Sequence, residues 1–264
     1  MNEKQLEIVT ADLWSELKQF TDARISLGRC GVSLPLKESL SFKLAHAQAR
    51  DAVLRPFRID ELVAELSAIG IESLKLQSNA HERSEYLTRP DKGRQLDVAS
   101  RDTLAGKGGA YDVCLVVSDG LSSRAIHENG FAFVESFLAL TKDAGISVAP
   151  VCLVENGRVA IADEIGELLG AKLSVILIGE RPGLSSPNSL GVYLTYGPKQ
   201  GNTDEARNCI SNVREGGLTI EQGVQKLAYL VEMALATGKS GVELKDKMTA
   251  GYLPFSGIAQ ALET

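Results

Sequence analysis

Short apolar runs separated by helical patterns are the feature that most constrains the fold of this chain. The runs cover residues 113–117, 148–154, 173–178 and 192–196, and each is long enough for a strand but too short for a helix. Helical patterns occupy residues 123–144, 163–169 and 220–236. Strands that are apolar on both faces are typical of a sheet that helices cover on both sides. The sequence therefore predicts an α/β fold with a mainly parallel sheet.

Less regular signals complete the pattern in the second half of the chain. Residues 158–161 are expected to add a short strand, and a polar stretch at residues 203–209 is expected to begin a helix. Two loops, residues 119–123 and 179–187, follow strands and are rich in glycine and serine. Ligands of parallel sheets bind at the carboxyl ends of the strands, where backbone N–H groups and hydroxyls can hold a phosphate. These loops are therefore the expected ligand edge, although plain turn chemistry explains them equally well.

The first part of the chain has mostly helical patterns. Residues 1–20 read as an amphipathic helix, either packed on its own domain or acting as a docking peptide for a partner. Helices are expected after Ser33 and from Asp60, because serine and aspartate are good N-caps, and a short strand is expected at residues 71–77. Residues 106–109 (GKGG) lack the spacing of a phosphate-binding loop and indicate a linker. We therefore divide the chain into a mostly helical region, residues 1–108, and an α/β domain, residues 109–264.

Composition excludes several classes of function. The net charge of −6 repels phosphate backbones, which disfavours general binding of nucleic acid. No apolar run approaches the roughly 20 residues that span a bilayer, and the acidic N-terminus lacks the apolar core of a secretory signal. The four cysteines are widely scattered, which indicates reduced thiols in a cytosolic type of compartment.

Sequence motifs for self-contained catalysis are missing. No G-x-S-x-G or G-x-G-x-x-G motif occurs, and the histidines do not stand at metal-ligand spacing, so we assign no catalytic residue and no metal ligand. Cys209 is the one cysteine expected to be accessible, which leaves a cysteine-dependent hydrolase as a minor alternative. Glu180 is a candidate general acid or ligand contact, or else a strand-end carboxylate paired with Arg181 or with a nearby helix end. Asp163, Glu164 and Glu167 are expected to form a solvated helix face.

Seven sequence words resemble one known family. They are ARISLGRCGVSLP (residues 23–35), LAHAQARDAV (44–53), YLTRPDKGRQL (86–96), VVSDGLSS (116–123), DEIGELLGAK (163–172), IGERPGLSSPNSLGVYLTYGP (178–198) and RNCISNVREGGL (207–218). In these words the chain resembles the small (light) subunit of ethanolamine ammonia-lyase, an adenosylcobalamin-dependent enzyme of bacterial ethanolamine use. The words keep the family order and cover most of the chain from residue 21 to about residue 245.

The resemblance implies a fold and a division of labour. It implies a helical N-terminal part, a Rossmann-like C-terminal domain that faces cobalamin, and a large subunit with a TIM barrel that holds ethanolamine and supplies the catalytic side chains. The cofactor would lie between the two subunits. Its contacts in the family correspond here to Val159, Glu180 and Cys209, in the words GRVA, GERPG and CISN. The D-x-H-x-x-G signature of a histidine on cobalt is absent, so the cofactor is expected to keep its own benzimidazole.

The expected function is therefore that of the non-catalytic small subunit of this lyase, which converts ethanolamine to acetaldehyde and ammonia. The resemblance further implies a hetero-oligomer located in a bacterial microcompartment or in the cytoplasm, with residues 1–20 as a possible contact to the shell. The alternative is a stand-alone α/β protein that binds or regulates through a small ligand and has no large subunit.

Overall fold

A computed structural model of the chain describes residues 8–256. The strands are β1 (Ser73–Gln77), β2 (Val113–Ser118), β3 (Val151–Glu155), β4 (Leu173–Gly179), β5 (Leu190–Tyr196) and β6 (Arg207–Val213). The helices are α1 (Leu36–Leu54), α2 (Ile59–Ala68), α3 (Arg83–Thr88), α4 (Val98–Leu104), α5 (Ser123–Ala125), α6 (Phe131–Asp143), α7 (Ile161–Leu169) and α8 (Ile220–Thr237). A π-helical turn, Ile126–Gly130, joins α5 to α6. No helix between residues 8 and 256 is both long enough and apolar enough to cross a bilayer.

The six strands pair in the order β1–β3–β2–β4–β5–β6. The pairs β1–β3, β3–β2 and β2–β4 are parallel, whereas β4–β5 and β5–β6 are antiparallel. The short connection from Gly179 to Leu190 contains no helix, so it returns the chain antiparallel rather than crossing over. The predicted α/β fold with a mainly parallel sheet is confirmed.

Side chains of the central strands alternate between two apolar layers. In β2, Val113, Leu115 and Val117 pack into the core beneath α2, α6 and α8. Cys114 and Val116 of the same strand pack into the core beneath α4 and α7. Every residue of β2 and β4 is buried. Burial on both faces explains why these strands read as continuous apolar runs, and it places their carboxyl ends together at one edge of the sheet.

The predicted helix at residues 203–209 is wrong. The segment contains only a 3₁₀ turn, Asp204–Ala206, after which β6 pairs with β5. Alanine, glutamate and arginine are good helix formers, but the ladder of hydrogen bonds along β5 overrides that local preference. Cys209 therefore lies in an edge strand.

The first described residues differ from the predicted helix at residues 1–20. Residues 1–7 of that helix lie outside the described part of the chain. Thr10 pairs with Arg29 through two backbone hydrogen bonds of 2.8 and 3.0 Å, so its backbone is not helical. A 3₁₀ helix, Ser15–Phe20, follows and buries none of its residues. The prediction of one continuous helix is therefore wrong for residues 8–14.

The polar segment between β1 and β2 folds against the sheet. Asp97 caps α4, since its Oδ1 accepts a hydrogen bond of 2.8 Å from Ser100 N. Leu96 and Leu104, at the two ends of this helix, are buried in the layer shared with α7. The strand β1 precedes residue 108 but belongs to the same sheet as the later strands. The sheet therefore includes strands from both of the predicted regions.

Candidate functional site

Two loops meet through glycine at the carboxyl edge of the sheet. Leu121 N, after β2, donates to Gly179 O, at the end of β4, over 2.8 Å. A Cβ on Gly179 would lie 2.0 Å from Ser122 O, and a Cβ on Gly120 would lie 2.3 Å from Gly179 O. Gly120 also has a φ of +55°, which disfavours other residues. The two loops predicted as a ligand edge are therefore in direct backbone contact.

A cavity of about 410 Å³ opens beside this contact. Its lining comes from the ends of β2, β3 and β4, from α3 and from β5: Tyr86, Leu121, Arg158, Val159, Ile178, Gly179, Glu180, Arg181 and Tyr193. The strand order changes direction around β2, with β3 on one side and β4 on the other. Crevices of this kind bind ligands in open α/β sheets, so the cavity is the candidate functional site.

An aromatic ring between two cations forms one wall. The guanidinium carbon of Arg83 lies 4.7 Å from the centroid of the Tyr86 ring, and that of Arg158 lies 4.1 Å from it. Tyr86 is almost completely buried, and loss of water raises the pKa of its hydroxyl to about 12. The tyrosine is therefore neutral at physiological pH, and its ring holds both cations by cation–π attraction.

Arg83 links this wall to three other segments. Its Nη1 contacts Asp119 Oδ2 at 2.9 Å and donates to Gly120 O at 2.8 Å, while its Nε donates to Val53 O of α1 at 2.9 Å. Asp119 Oδ1 also accepts from Asn156 N at 2.8 Å, which fixes the loop after β3. Burial raises the pKa of Asp119 to about 6, against the opposing effect of Arg83. Above that pH, the ionised pair fastens α1 to the loop after β2 and to the loop after β3.

Glu180 joins the last three strands. Its Oε2 accepts hydrogen bonds from Ser189 Oγ at 2.5 Å and from Asn212 N at 3.2 Å. Its backbone N–H donates to Ser189 O at 2.9 Å. These contacts fix the carboxylate at the cavity while the residue remains half-buried. Glu180 is therefore a positioned acceptor, and the alternative of an ion pair with Arg181 is not seen among residues 8–256.

Cys209 lies directly across from Tyr193 in the β5–β6 ladder. Tyr193 lines the cavity, and Cys209 is exposed beside it. Partial desolvation raises the pKa of the Cys209 thiol, and the nearby Glu180 carboxylate raises it further. A nucleophilic cysteine needs a lowered pKa, so the thiol has the wrong electrostatics for the cysteine-dependent hydrolase considered from the sequence.

A comparison with known protein families identifies the family of this chain. The model of the ethanolamine ammonia-lyase light chain family (EutC) matches residues 11–245. The chain belongs to this light-chain family. The resemblance carried by the seven sequence words is therefore confirmed, and family membership makes the chain a component of a lyase complex.

Several light-chain relatives are similar over nearly their whole length. The ethanolamine ammonia-lyase small subunit of Ralstonia nicotianae is 52% identical over 242 residues, which is 90% of each chain. That of Azotobacter vinelandii is 50% identical over 94% of this chain and 93% of its own. The small subunit of Pseudomonas fluorescens is 52% identical over 89% of this chain and 87% of its own. The sequence similarity therefore extends over almost the whole length of these small subunits.

Of the three residues that the resemblance predicted as cobalamin contacts, two line the cavity itself. Val159 and Glu180 face it from the loop after β3 and from the end of β4, and Cys209 lies at its rim across from Tyr193. Val159 lies in a turn that leads into α7, so the short strand expected at residues 158–161 is wrong. The turn exposes Val159 to the cavity, whereas a central strand would have buried it.

The expected solvated face of α7 is wrong for two of its three acids, whereas Glu167 is exposed as predicted. The side chains of Asp163 and Glu164 are only 2% and 4% exposed. Asp163 pairs with Arg207 of β6, and Glu164 Oε1 contacts Arg101 of α4 at 2.6 Å. Buried carboxylates require such partners, and α7 presents them to the sheet and to α4. These acids therefore hold the layers of the light-chain fold together and do not face solvent.

Sequence reasoning missed the cation–aromatic wall. Tyr86 and Arg83 lie in a segment that reads as polar and irregular, more than seventy positions before Arg158. A tyrosine isolated in that polar segment was the available signal, since a large ring there needs a packing partner. Within the described residues, no cluster of three or more histidine, cysteine, aspartate or glutamate side chains is arranged to hold a metal ion.

Proposed function

We propose that this chain is the small subunit of an adenosylcobalamin-dependent ethanolamine ammonia-lyase and forms one half of the cofactor site. The large subunit forms the other half and carries the catalytic side chains. The observation that supports this most directly is that Val159 and Glu180 line one cavity at the carboxyl edge of the sheet, while Cys209 pairs with Tyr193, which also lines it. Their positions in the sequence are far apart, and the fold brings them together.

The size and chemistry of the cavity fit a shared site. A volume of about 410 Å³ suits a drug-sized ligand, whereas a corrinoid is much larger. The remainder must therefore be covered by another polypeptide, which a lyase built from two kinds of subunit provides. The lining combines an apolar valine, a fixed carboxylate and a half-buried arginine. These groups match the apolar face and the peripheral amides of a corrin.

Each residue has a separate role in holding the cofactor. Val159 excludes water from the corrin face, Glu180 accepts from an amide N–H or a ribose hydroxyl, and Cys209 offers sulfur or backbone contacts at the rim. When bound, adenosylcobalamin supplies the radical chemistry that converts ethanolamine to acetaldehyde and ammonia. No cobalt ligand is proposed from this chain. Its contribution is binding, exclusion of water and assembly.

Mixing the purified subunits tests the division of labour. Acetaldehyde should form from ethanolamine and adenosylcobalamin only when both subunits are present. The variant Glu180→Gln keeps the shape but loses the charge, and it should raise the cofactor concentration for half-maximal activity about 10-fold, as expected for a hydrogen bond to a charged group. Glu215→Gln, at an exposed glutamate in the turn after β6, is the matched control and should leave that concentration unchanged.

Two outcomes would contradict the proposal. Acetaldehyde produced by this chain alone would place the catalytic side chains here. A monomer that does not associate with the large subunit would instead favour the stand-alone α/β binding protein.

We also propose that the start of the chain docks the enzyme to a bacterial microcompartment shell. The described part of this segment exposes Leu13, Trp14 and Phe20, whose side chains have no packing partner in a core. Exposed apolar side chains of this kind mark interaction sites. Deleting residues 1–20 should release the complex from isolated shells and leave its activity in solution intact, as measured by co-sedimentation. Lost activity with normal co-sedimentation would refute this role.

A further inference from the structure

Arg158 is a cation at the cavity without a carboxylate partner. Its Nη2 donates to Tyr86 O at 2.6 Å, and its Nε is enclosed without a hydrogen-bond partner in the described structure. No salt bridge within residues 8–256 includes it. A guanidinium has five N–H donors and a permanent charge, so most of its capacity remains unused. An unpaired charge at a half-buried position is costly, so an anion that binds to it there would be favoured.

The other arginine at the Tyr86 ring differs from Arg158 in having a carboxylate partner, although its Nη2 is also buried without a hydrogen-bond partner in the described structure. Arg83 also contacts the Tyr86 ring, at 4.7 Å from its centroid, but it pairs with Asp119 at 2.9 Å and donates to two backbone carbonyls. Arg83 therefore anchors the loops. Arg158 shares the ring but has no carboxylate, so its charge is available to the cavity.

The Arg158 guanidinium is also held in place before any ligand arrives. The Tyr86 ring lies 4.1 Å from its central carbon, and the backbone N–H of Arg158 donates to Gly93 O at 2.7 Å. Stacking fixes the plane of the donors, which lowers the entropy lost when an oxyanion binds. Arginine with a fixed plane is typical of phosphate recognition.

We propose that Arg158 binds the phosphodiester of the cofactor's nucleotide loop. This inference rests on the proposed function, because it names the part of adenosylcobalamin that the cavity takes. The peripheral side chains of cobalamin are neutral amides, and the phosphodiester is its one anionic group. Arg158 thus fixes which end of the cofactor faces this subunit.

Three corrinoids test the assignment on the assembled complex of both subunits. Cyanocobalamin carries the whole nucleotide loop, cobinamide phosphate keeps the phosphate without ribose or base, and cobinamide lacks all three. Binding is measured by equilibrium dialysis, with no turnover needed. The wild-type complex should bind cobinamide phosphate roughly 10- to 100-fold more tightly than cobinamide, as expected for a hydrogen bond to a charged group. That preference should also weaken as salt rises.

The variant Arg158→Gln should bind cobinamide as the wild type does, with the preference for cobinamide phosphate lost. Arg158→Lys keeps the charge without the planar fork and should retain an intermediate preference. Arg94→Gln removes an exposed cation outside the cavity and should change nothing. Unchanged cobinamide binding in Arg158→Gln also shows that the variant is folded.

Other outcomes overturn the inference. An equal loss of all three corrinoids in Arg158→Gln, or weaker association of the subunits, would show that Arg158 instead pairs with a carboxylate of the large subunit. A full phosphate preference in Arg158→Gln would place the anion contact on another residue. If the wild-type complex binds none of the three corrinoids, the proposed function itself fails.

Discussion

Replacing Asp163 with alanine should lower the free energy of unfolding by about 3–5 kcal/mol. Its partner Arg207 is 3% exposed and would keep its charge at a buried position without the Asp163 carboxylate. Asp204, which contacts Arg207 Nη1 at 2.9 Å, cannot compensate because its side chain is 94% exposed and strongly solvated. The cost arises from the buried, unpaired cation more than from the lost attraction.

Arg207 pairs with two carboxylates, and the exposed one, Asp204, provides the control. Asp204→Ala removes the exposed partner and should leave the urea midpoint unchanged within error, because exposed ion pairs contribute little. Both variants are measured by urea unfolding of the full chain, with the slope checked for two-state behaviour. Equal destabilisation by the two variants would mean that burial does not decide the strength of this pair.

Gly179→Ala should have a comparably large effect, and it should act on the ligand edge directly. The added Cβ would lie 2.0 Å from Ser122 O and 2.5 Å from Asp119 O, and backbone atoms cannot move aside as a flexible side chain can. The two loops must separate, at a cost of about 3 kcal/mol. Because both loops border the cavity, affinity of the complex for cyanocobalamin should fall at the same time.

Gly251→Ala is the matched control for the same chemical change. A Cβ on Gly251 meets no atom within 4 Å, so neither stability nor corrinoid affinity should change. Urea unfolding and equilibrium dialysis measure the two quantities. A Gly179→Ala protein with normal stability and normal affinity would show that the loops do not depend on this close approach.

The strands of the sheet core could be predicted from sequence because local pattern decides them. The apolar runs at residues 113–117, 173–178 and 192–196 became β2, β4 and β5 almost unchanged. Strands buried on both faces carry this signal in their own residues. The direction of β5 did not follow from its pattern, because an apolar run looks the same in parallel and antiparallel pairs.

Structural features that depend on residues far along the chain could not be predicted from local sequence pattern. The strand β6 forms because β5 offers it a ladder, although its residues read as the start of a helix. Asp163 lies 44 positions before Arg207, and Glu164 lies 63 positions after Arg101. A carboxylate whose counter-ion is so far along the chain looks like a solvated residue until the fold is known.

The candidate site likewise has features that could be predicted from the sequence and features that could not. The two loops follow from general rules for α/β sheets, whereas the cofactor role of Val159 and Cys209 was predicted from family resemblance alone. Tyr86 and Arg158 meet only because α3 folds back onto the loop after β3. Their contact joins residues that no local pattern relates.

The main-chain contact between Gly120 and Gly179 has a consequence for how such sites diversify. Where two loops beside a cavity touch through their peptide groups, substitution is strongly restricted, since any larger residue forces the two loops apart. Variation is then confined to the walls, at positions such as Tyr86, Val159 and Tyr193. A related protein that binds a different ligand would therefore differ at those side chains and keep both glycines.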